Sequence, residues 1–257
     1  MKLTILGTGS LYANKERSGA AYLLETDGKR ILIDCGPGTL IRLSEIGLKP
    51  GDLDYIFISH FHADHTSDLF PLQMNLRLNE FFGTEPLKKT PIIYGPAGIK
   101  TFTKKLSHIY QLYAFENWAE IKYENYTEEI SLGDLTVRPF KVKHTAFAVP
   151  ARAYALRFEC EDKIFVFSGD SVKNDGVEKA SKGADLFLCD TSYAKGQGSP
   201  AHMDTNEIGE IAEKGKVKKV VLTHFYPNTK EIDLVSEVSE KYSGVVVRGE
   251  DLMELEV

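Results

Sequence analysis

The chain has 257 residues, a formal net charge of −6 and a pI near 5.7. This acidic balance argues against nucleic-acid binding through a high overall positive charge. Because the sequence has no apolar run of about 18 residues, it predicts no transmembrane helix. The three cysteines are odd in number, far apart and without a CxxC pair, so we expect a reducing, cytoplasmic location rather than a disulfide scaffold. The length fits a single domain over residues 1–257.

Short apolar runs that are rich in β-branched and aromatic residues predict strands along the whole chain. In chain order these runs are Lys2–Leu6, Ala20–Glu25, Arg30–Asp34, Tyr55–Ser59, Pro91–Tyr94, Leu135–Val142, Ala153–Phe158, Ile164–Ser168, Leu186–Asp190, Val220–Thr223 and Gly244–Arg248. Apolar residues at helical spacing occur in stretches 69–76 and 208–212, and Asp204 with Glu207 has the pattern of a capping box before the second. An early meander followed by alternating strands and helices predicts mixed sheets with helices packed outside them.

Several of the predicted strands are followed at once by a residue that can do chemistry. These residues are Asp34, His60, Asp170, Asp190 and His224. In α/β sheets, ligands gather outside the carboxyl ends of the strands. The pattern therefore predicts one functional site at one edge of the fold.

The segment ISHFHADHTSD, residues 58–68, concentrates four possible metal ligands: His60, His62, Asp64 and His65. Imidazole nitrogen and carboxylate oxygen suit Zn²⁺, with Mn or Fe as alternatives. Two such ions about 3.5–4 Å apart can hold a bridging hydroxide for a displacement reaction. The remaining ligands would come from polar residues in later loops, for which the candidates are His144, Asp170, His202 and His224.

At these residues the sequence resembles the metallo-β-lactamase superfamily, and most closely its ribonuclease Z-like branch. The resemblance covers nearly the whole chain, through the motifs LGTGS, LIDCGPGT, SHFHADHTSD, YGPAGI, VKHTAF, FSGDS, LCDTSY, AHMDTNEIGEIA and VLTHFYP. It implies an α/β (α+β) fold, namely a four-layer αββα sandwich with a dinuclear metal site at one edge.

The resemblance also implies roles for individual residues. One metal would be held by His60, His62 and His144. The other would be held by Asp64, His65 and His224, with Asp170 bridging the two ions. Asp34 would orient the histidine loop, and a catalytic pair of Asp190 and His202 would assist the leaving group beside Asp64.

The chain departs from ribonuclease Z itself at two features. Pro37 stands where ribonuclease Z has an acidic residue, and we find no basic arm of the kind that grips transfer RNA. A metal-dependent phosphodiesterase acting on a small phosphodiester or nucleotide, such as a cyclic nucleotide, is therefore favoured over transfer-RNA 3′-end processing. The resemblance further implies a homodimer.

Three other functions compete with this interpretation. An acyl hydrolase, such as a lactonase or thioesterase, could use the same metals, because hydroxide attacks carbonyl carbon as well. A di-iron redox protein fits less well, since that branch has glutamate at the position of His62. A metal-binding scaffold without turnover is disfavoured by the intact ligand set.

The aromatic segment 102–126 could act as a substrate lid, but a place in the core or at a dimer contact is favoured.

Overall fold

The computed structural model of the chain describes residues 1–12, 14–82, 89–111, 121–146 and 149–257. Within these residues, two mixed β-sheets of seven strands each form the centre of the molecule. The strands of the first sheet are β1 (Lys2–Gly7), β2 (Ala21–Thr26), β3 (Lys29–Ile33), β4 (Tyr55–Phe57), β5 (Ile92–Gly95), β6 (Tyr123–Asn125) and β16 (Glu254–Glu256). Their spatial order is β16–β1–β2–β3–β4–β5–β6, and β3 to β6 run parallel.

The second sheet is built from the later part of the chain. Its strands are β7 (Ile130–Leu132), β8 (Leu135–Val142), β11 (Ala153–Cys160), β12 (Lys163–Phe167), β13 (Leu186–Asp190), β14 (Lys219–Thr223) and β15 (Val245–Arg248). The order is β15–β14–β13–β12–β11–β8–β7, with β12 to β15 parallel. A two-stranded antiparallel ribbon, β9 (Thr145–Ala146) and β10 (Val149–Pro150), lies between β8 and β11 in the chain.

Helices cover the outer faces of both sheets. They are α1 (Thr39–Glu45), α2 (Ala63–Thr66), α3 (Leu69–Phe82), α4 (Ile99–Ile109), α5 (Asp175–Ser181), α6 (Thr205–Gly215) and α7 (Leu234–Ser239), with short 3₁₀ turns at Pro50–Asp52 and Pro227–Thr229. The predicted capping box is present, because the Asp204 carboxylate accepts from the Glu207 amide and the Glu207 side chain accepts from the Asp204 amide. Among the described helices, none combines the length and the apolar character needed to cross a membrane.

Three apolar clusters explain the layering. Alternation along β1 sends Leu3 and Ile5 into the cluster between the two sheets, whereas Leu6 joins the cluster under α1, α3 and α4. On the outer face of the second sheet, Phe187 and Val220 belong to the cluster that also contains residues of α5, α6 and α7. The predicted αββα sandwich is confirmed.

Candidate metal centre

The site lies at the carboxyl ends of strands from both sheets. The histidine segment follows β4, and its last two members, Asp64 and His65, lie in the short helix α2. The chain turns sharply just after two other strands, because Asp34 after β3 and His224 after β14 adopt left-handed φ angles of 57° and 59°. Asp and His tolerate this region better than branched residues, and such outliers concentrate at functional sites. The local turns therefore aim both side chains toward the segment.

The first ligand group consists of His60, His62, His144 and Asp170, whose candidate ligand atoms all lie within 4.8 Å of one another. Nε2 of His144 lies 3.1 Å from Nδ1 of His62. Oδ2 of Asp170 lies 3.8 Å from Nε2 of both His60 and His144. Three imidazoles and one carboxylate thus converge on one point.

The second ligand group consists of Asp64, His65, His224 and the same Asp170. Nε2 of His224 lies 3.2 Å from Oδ2 of Asp64 and 3.3 Å from Nε2 of His65. Oδ2 of Asp170 lies 3.3 Å from Nε2 of His65 and 3.5 Å from Nε2 of His224. Asp170 therefore faces both groups, which is the position that a bridging ligand requires.

The donor set fits metal ions. Nε2 of His60 and Oδ1 of Asp170 are buried and have no hydrogen-bond partner among the described residues. Burial lowers the pKa of His60 well below its usual range, which leaves a neutral imidazole. Burial alone would raise the pKa of Asp170, but the adjacent His224 and His65 hold it well below its usual range. Neutral imidazole and ionised carboxylate are the forms that bind a metal.

A second set of contacts orients these ligands. The Asp34 carboxylate accepts from the Ser59 amide at 2.7 Å, from the Ser59 hydroxyl at 2.8 Å and from Nδ1 of His65 at 2.7 Å. The Ser59 hydroxyl in turn lies 3.0 Å from Nδ1 of His60. Nδ1 of His144 donates to the carbonyl of Ala201 at 2.9 Å. In each ring, the bond at Nδ1 turns Nε2 toward the centre of the site.

The predicted pair of Asp190 and His202 is also brought to this edge. Nδ1 of His202 donates to Oδ2 of Asp190 at 2.6 Å. The Ser192 hydroxyl donates to the other oxygen of Asp190 at 2.7 Å and lies 2.9 Å from Nδ1 of His224. One buried carboxylate thus serves both His202 and, through Ser192, a histidine of the second ligand group.

Electrostatics favour the charged forms of both Asp190 and His202. Burial alone would raise the pKa of Asp190, but the charge and hydrogen bond of His202 lower it to about 2. Burial alone would lower the pKa of His202, but Asp190 raises it above its usual value. Asp190 therefore favours the protonated form of His202, whose Nε2 lies 3.3 Å from the Tyr226 hydroxyl.

A pocket of about 620 Å³ opens over the two ligand groups. This size suits a small molecule. Its floor includes His62, Asp64, His144, Asp170 and His202, and its walls include Leu11, Tyr12, Thr145, Tyr193 and Tyr226. None of the described residues of segment 102–126 lines this pocket: Phe102 stacks on Phe61, and Tyr126 packs into the cluster between the sheets. Residues 112–120 of that segment lie outside the described part of the chain.

The structure brings the seven predicted metal ligands and the predicted Asp190–His202 pair together at one edge. The sequence did not single out Ser59, Ser192 or the three tyrosines of the pocket. Ser59, Ser192, Tyr193 and Tyr226 each lie within three residues of a candidate site residue, and this adjacency is a signal for them. Tyr12 has no such neighbour in the sequence.

A protein-family model described as "Anti-Pycsar protein Apyc1" matches residues 1–249. The chain is 31% identical to "Probable metallo-hydrolase YhfI" of Bacillus subtilis over 87% of this chain and 86% of that protein. It is 28% identical to a ribonuclease Z of Methanosarcina acetivorans over 100% of this chain and 98% of that protein.

Two solved structures superimpose on the whole of this chain. The crystal structure of the metallo-β-lactamase fold protein YhfI from B. subtilis superimposes with a TM-score of 0.83 and 26% identity, covering 100% of this chain and 99% of that one. The short form of human tRNase Z superimposes with a TM-score of 0.76 and 22% identity, covering 100% and 99% of the two chains. The second likeness, at this low identity, concerns the fold alone.

Proposed function

Because the chain belongs to the anti-Pycsar protein Apyc1 family and is a metal-dependent hydrolase of the metallo-β-lactamase fold, we propose that it is a phosphodiesterase for a small phosphodiester or nucleotide. The observation that carries the proposal is the buried Asp190–His202 pair beside the two ligand groups. Hydrolysis of a phosphodiester expels an alkoxide, which needs a proton. Hydrolysis of a thioester expels a thiolate, which is much less basic and has less need of such a donor.

We propose that two divalent ions bind, with zinc favoured and Mn or Fe as alternatives. His60, His62 and His144 would hold one ion, and Asp64, His65 and His224 the other, with Asp170 between them. When bound, such a pair lowers the pKa of a coordinated water toward about 7, so that hydroxide is available at neutral pH. Asp34, Ser59 and the Ala201 carbonyl would keep the imidazoles in the required orientation.

His202 would deliver the proton to the leaving oxygen. Its Nδ1–H is engaged by Asp190, so the ring is held in place, and a second proton would lie on Nε2 of this pocket-lining residue. A neighbouring carboxylate stabilises the imidazolium before the proton is transferred. The Tyr226 hydroxyl, 3.3 Å from Nε2, can accept that hydrogen bond until substrate arrives.

The proposal extends to partners and location. A pocket of about 620 Å³ and a net charge of −6 support a small substrate rather than a folded nucleic acid. We further propose a homodimer of single-domain chains. All three cysteines are free and buried, which supports a reducing, cytoplasmic setting.

The test is hydrolysis of bis-(p-nitrophenyl) phosphate by the metal-reconstituted protein. We expect turnover that is lost in Asp64→Ala and retained in His108→Ala, which removes a histidine of α4 outside the ligand groups. No turnover by protein that demonstrably holds metal would contradict the proposal and favour lactones or thioesters as substrates.

A second measurement tests the role of His202. His202→Ala should lower kcat by about 10²- to 10⁴-fold for a diester with an alkoxide leaving group. The loss should be much smaller with p-nitrophenolate, which leaves without a proton. Equal losses for both leaving groups would remove His202 as the acid.

A further inference from the structure

The loop between β1 and β2 carries two apolar side chains that are largely exposed. Leu11 is 63% exposed and Tyr12 is 56% exposed, yet both line the pocket over the ligand groups. Single exposed apolar residues are common on protein surfaces. Two adjacent ones at the mouth of a pocket that contains candidate metal ligands call for a ligand-based explanation.

The neck of this loop is closed by a network centred on Asp251. The Asp251 carboxylate accepts from the amide and hydroxyl of Thr8, at 2.9 and 2.7 Å, and from the amide of Ser18 at 2.7 Å. The Gly9 amide donates to the Ser18 carbonyl at 2.7 Å. Arg42 donates to the same carboxylate at 3.1 Å. The loop is therefore fixed at both ends, at Thr8 and at Ser18.

The tip continues into a group of aromatic rings, which we call the tyrosine wall: Tyr12, Tyr193 and Tyr226. The ring of Tyr226 lies at the centre, with its centroid 5.4 Å from that of Tyr12 and 5.7 Å from that of Tyr193. Its centroid is also 5.4 Å from that of His202. The Tyr12 ring meets Tyr226 at an interplanar angle of 68°, so their contact is edge-on and leaves most of Tyr12 uncovered.

We propose that Leu11 and the tyrosine wall form a subsite for the base of a nucleotide, with Tyr12 as the stacking ring. This proposal rests on the phosphodiesterase function proposed above and names the part of the substrate that the pocket recognises. A base is flat and apolar on both faces, and stacking on an exposed aromatic ring favours it whatever its edge pattern. The phosphate would then lie over the ligand groups, and Tyr226, whose ring contacts both Tyr12 and His202, would lie between base and phosphate.

The subsite would contribute to nucleotide binding without contributing to metal binding. Among the ring pairs of the described residues, the Tyr12 ring packs on Tyr226 and on no candidate metal ligand. Loss of its ring should therefore weaken nucleotide binding and leave the metal content unchanged. Because its side chain is exposed, the substitution should also cost little stability.

The test compares binding of AMP and of ribose 5-phosphate to the full-length, metal-loaded protein by isothermal titration calorimetry. We expect the wild type to bind AMP about tenfold more tightly than ribose 5-phosphate, within the range of one base stacked on an aromatic ring. Tyr12→Ala should abolish this preference, and Tyr12→Phe should keep it. Tyr110→Ala is the matched control, because Tyr110 is 55% exposed but does not line the pocket.

Equal affinities of the wild type for the two ligands, absence of AMP binding, or an undiminished preference in Tyr12→Ala would overturn the subsite. Turnover of 3′,5′-cyclic AMP, measured on the same preparations, tests the proposed function separately. A preference for AMP that depends on Tyr12, without any turnover, would support the subsite and remove the phosphodiesterase. Turnover without a preference for AMP would remove the subsite alone.

Discussion

Replacing Asp34 by Asn is the most informative change near the metal centre, because this residue orients ligands without being placed among them. Its side chain is fully buried and accepts three hydrogen bonds, two from Ser59 and one from Nδ1 of His65. Its φ angle of 57° lies in the left-handed region, which Asn tolerates as well as Asp does. Asn therefore removes the charge without adding backbone strain, whereas Ala would add strain at this φ angle.

The magnitude follows from the contacts of the two carboxylate oxygens. Oδ1 accepts from the Ser59 amide, and an Asn carbonyl can still do so. Oδ2 accepts from both the Ser59 hydroxyl and Nδ1 of His65. The NH₂ group of Asn at this place can accept from neither of these donors. Loss of such an orienting carboxylate typically costs 10- to 100-fold in metal affinity, or about 1.4 to 2.7 kcal/mol. We expect this loss at the group containing His65.

The assay is competition with a chelator of known affinity, followed by metal analysis of wild type and Asp34→Asn. Asp185→Asn is the matched control, because Asp185 is also a buried carboxylate that accepts from a backbone amide, that of Ile164, at 2.8 Å. It lies before β13, at the opposite end of the strand from the site. Metal affinity within twofold of the wild type, or an equal loss in Asp185→Asn, would refute the reasoning.

Three further predictions concern His224, Asp190 and Asp251. Burial alone would lower the pKa of His224, but Asp170 and Asp190 raise it to about 10, so metal binding at pH 7 must displace its proton. We therefore expect apparent metal affinity to rise with pH and calorimetry in two buffers to detect released protons; a pH-independent affinity would contradict this. The pKa of Asp190 falls to about 2 in the folded protein, so its contribution of about 2 kcal/mol is present above pH 4 and lost as the pH falls toward 2. In urea unfolding of the metal-free protein, the advantage of the wild type over Asp190→Asn should shrink across that window, and a constant difference would count against the pairing with His202. Asp251→Ala should lower the free energy of unfolding by about 1–3 kcal/mol, because it leaves the donors of buried Thr8 and half-buried Ser18 without this acceptor; a loss below about 0.5 kcal/mol would show that this neck is not held by the carboxylate.

Sequence reasoning was strongest where the signal is local. Each of the eleven apolar runs named from the sequence overlaps a strand, because alternation and β-branched residues report directly on a pleated, buried surface. The strands it missed, such as β7 and β16, have three residues each and are too short to show a period. Segment 102–126 was harder, since an aromatic-rich stretch has similar composition in a helix and in a strand. The structure gives both, with α4 at its start and β6 near its end.

By itself the sequence determined that this protein has a candidate metal site, because His60, His62, Asp64 and His65 are neighbours in the chain and need no distant contact to come together. Their grouping with residues from later loops came from a family resemblance. Only the tertiary structure decided that Asp170 faces both groups and that Leu11 and Tyr12 of an exposed loop reach the pocket. It also decided that the Asp190 carboxylate contacts His202 directly and His224 through Ser192. The physical reason is that spacing along the chain constrains near neighbours, whereas contacts between loops depend on how two sheets pack and where their strands end.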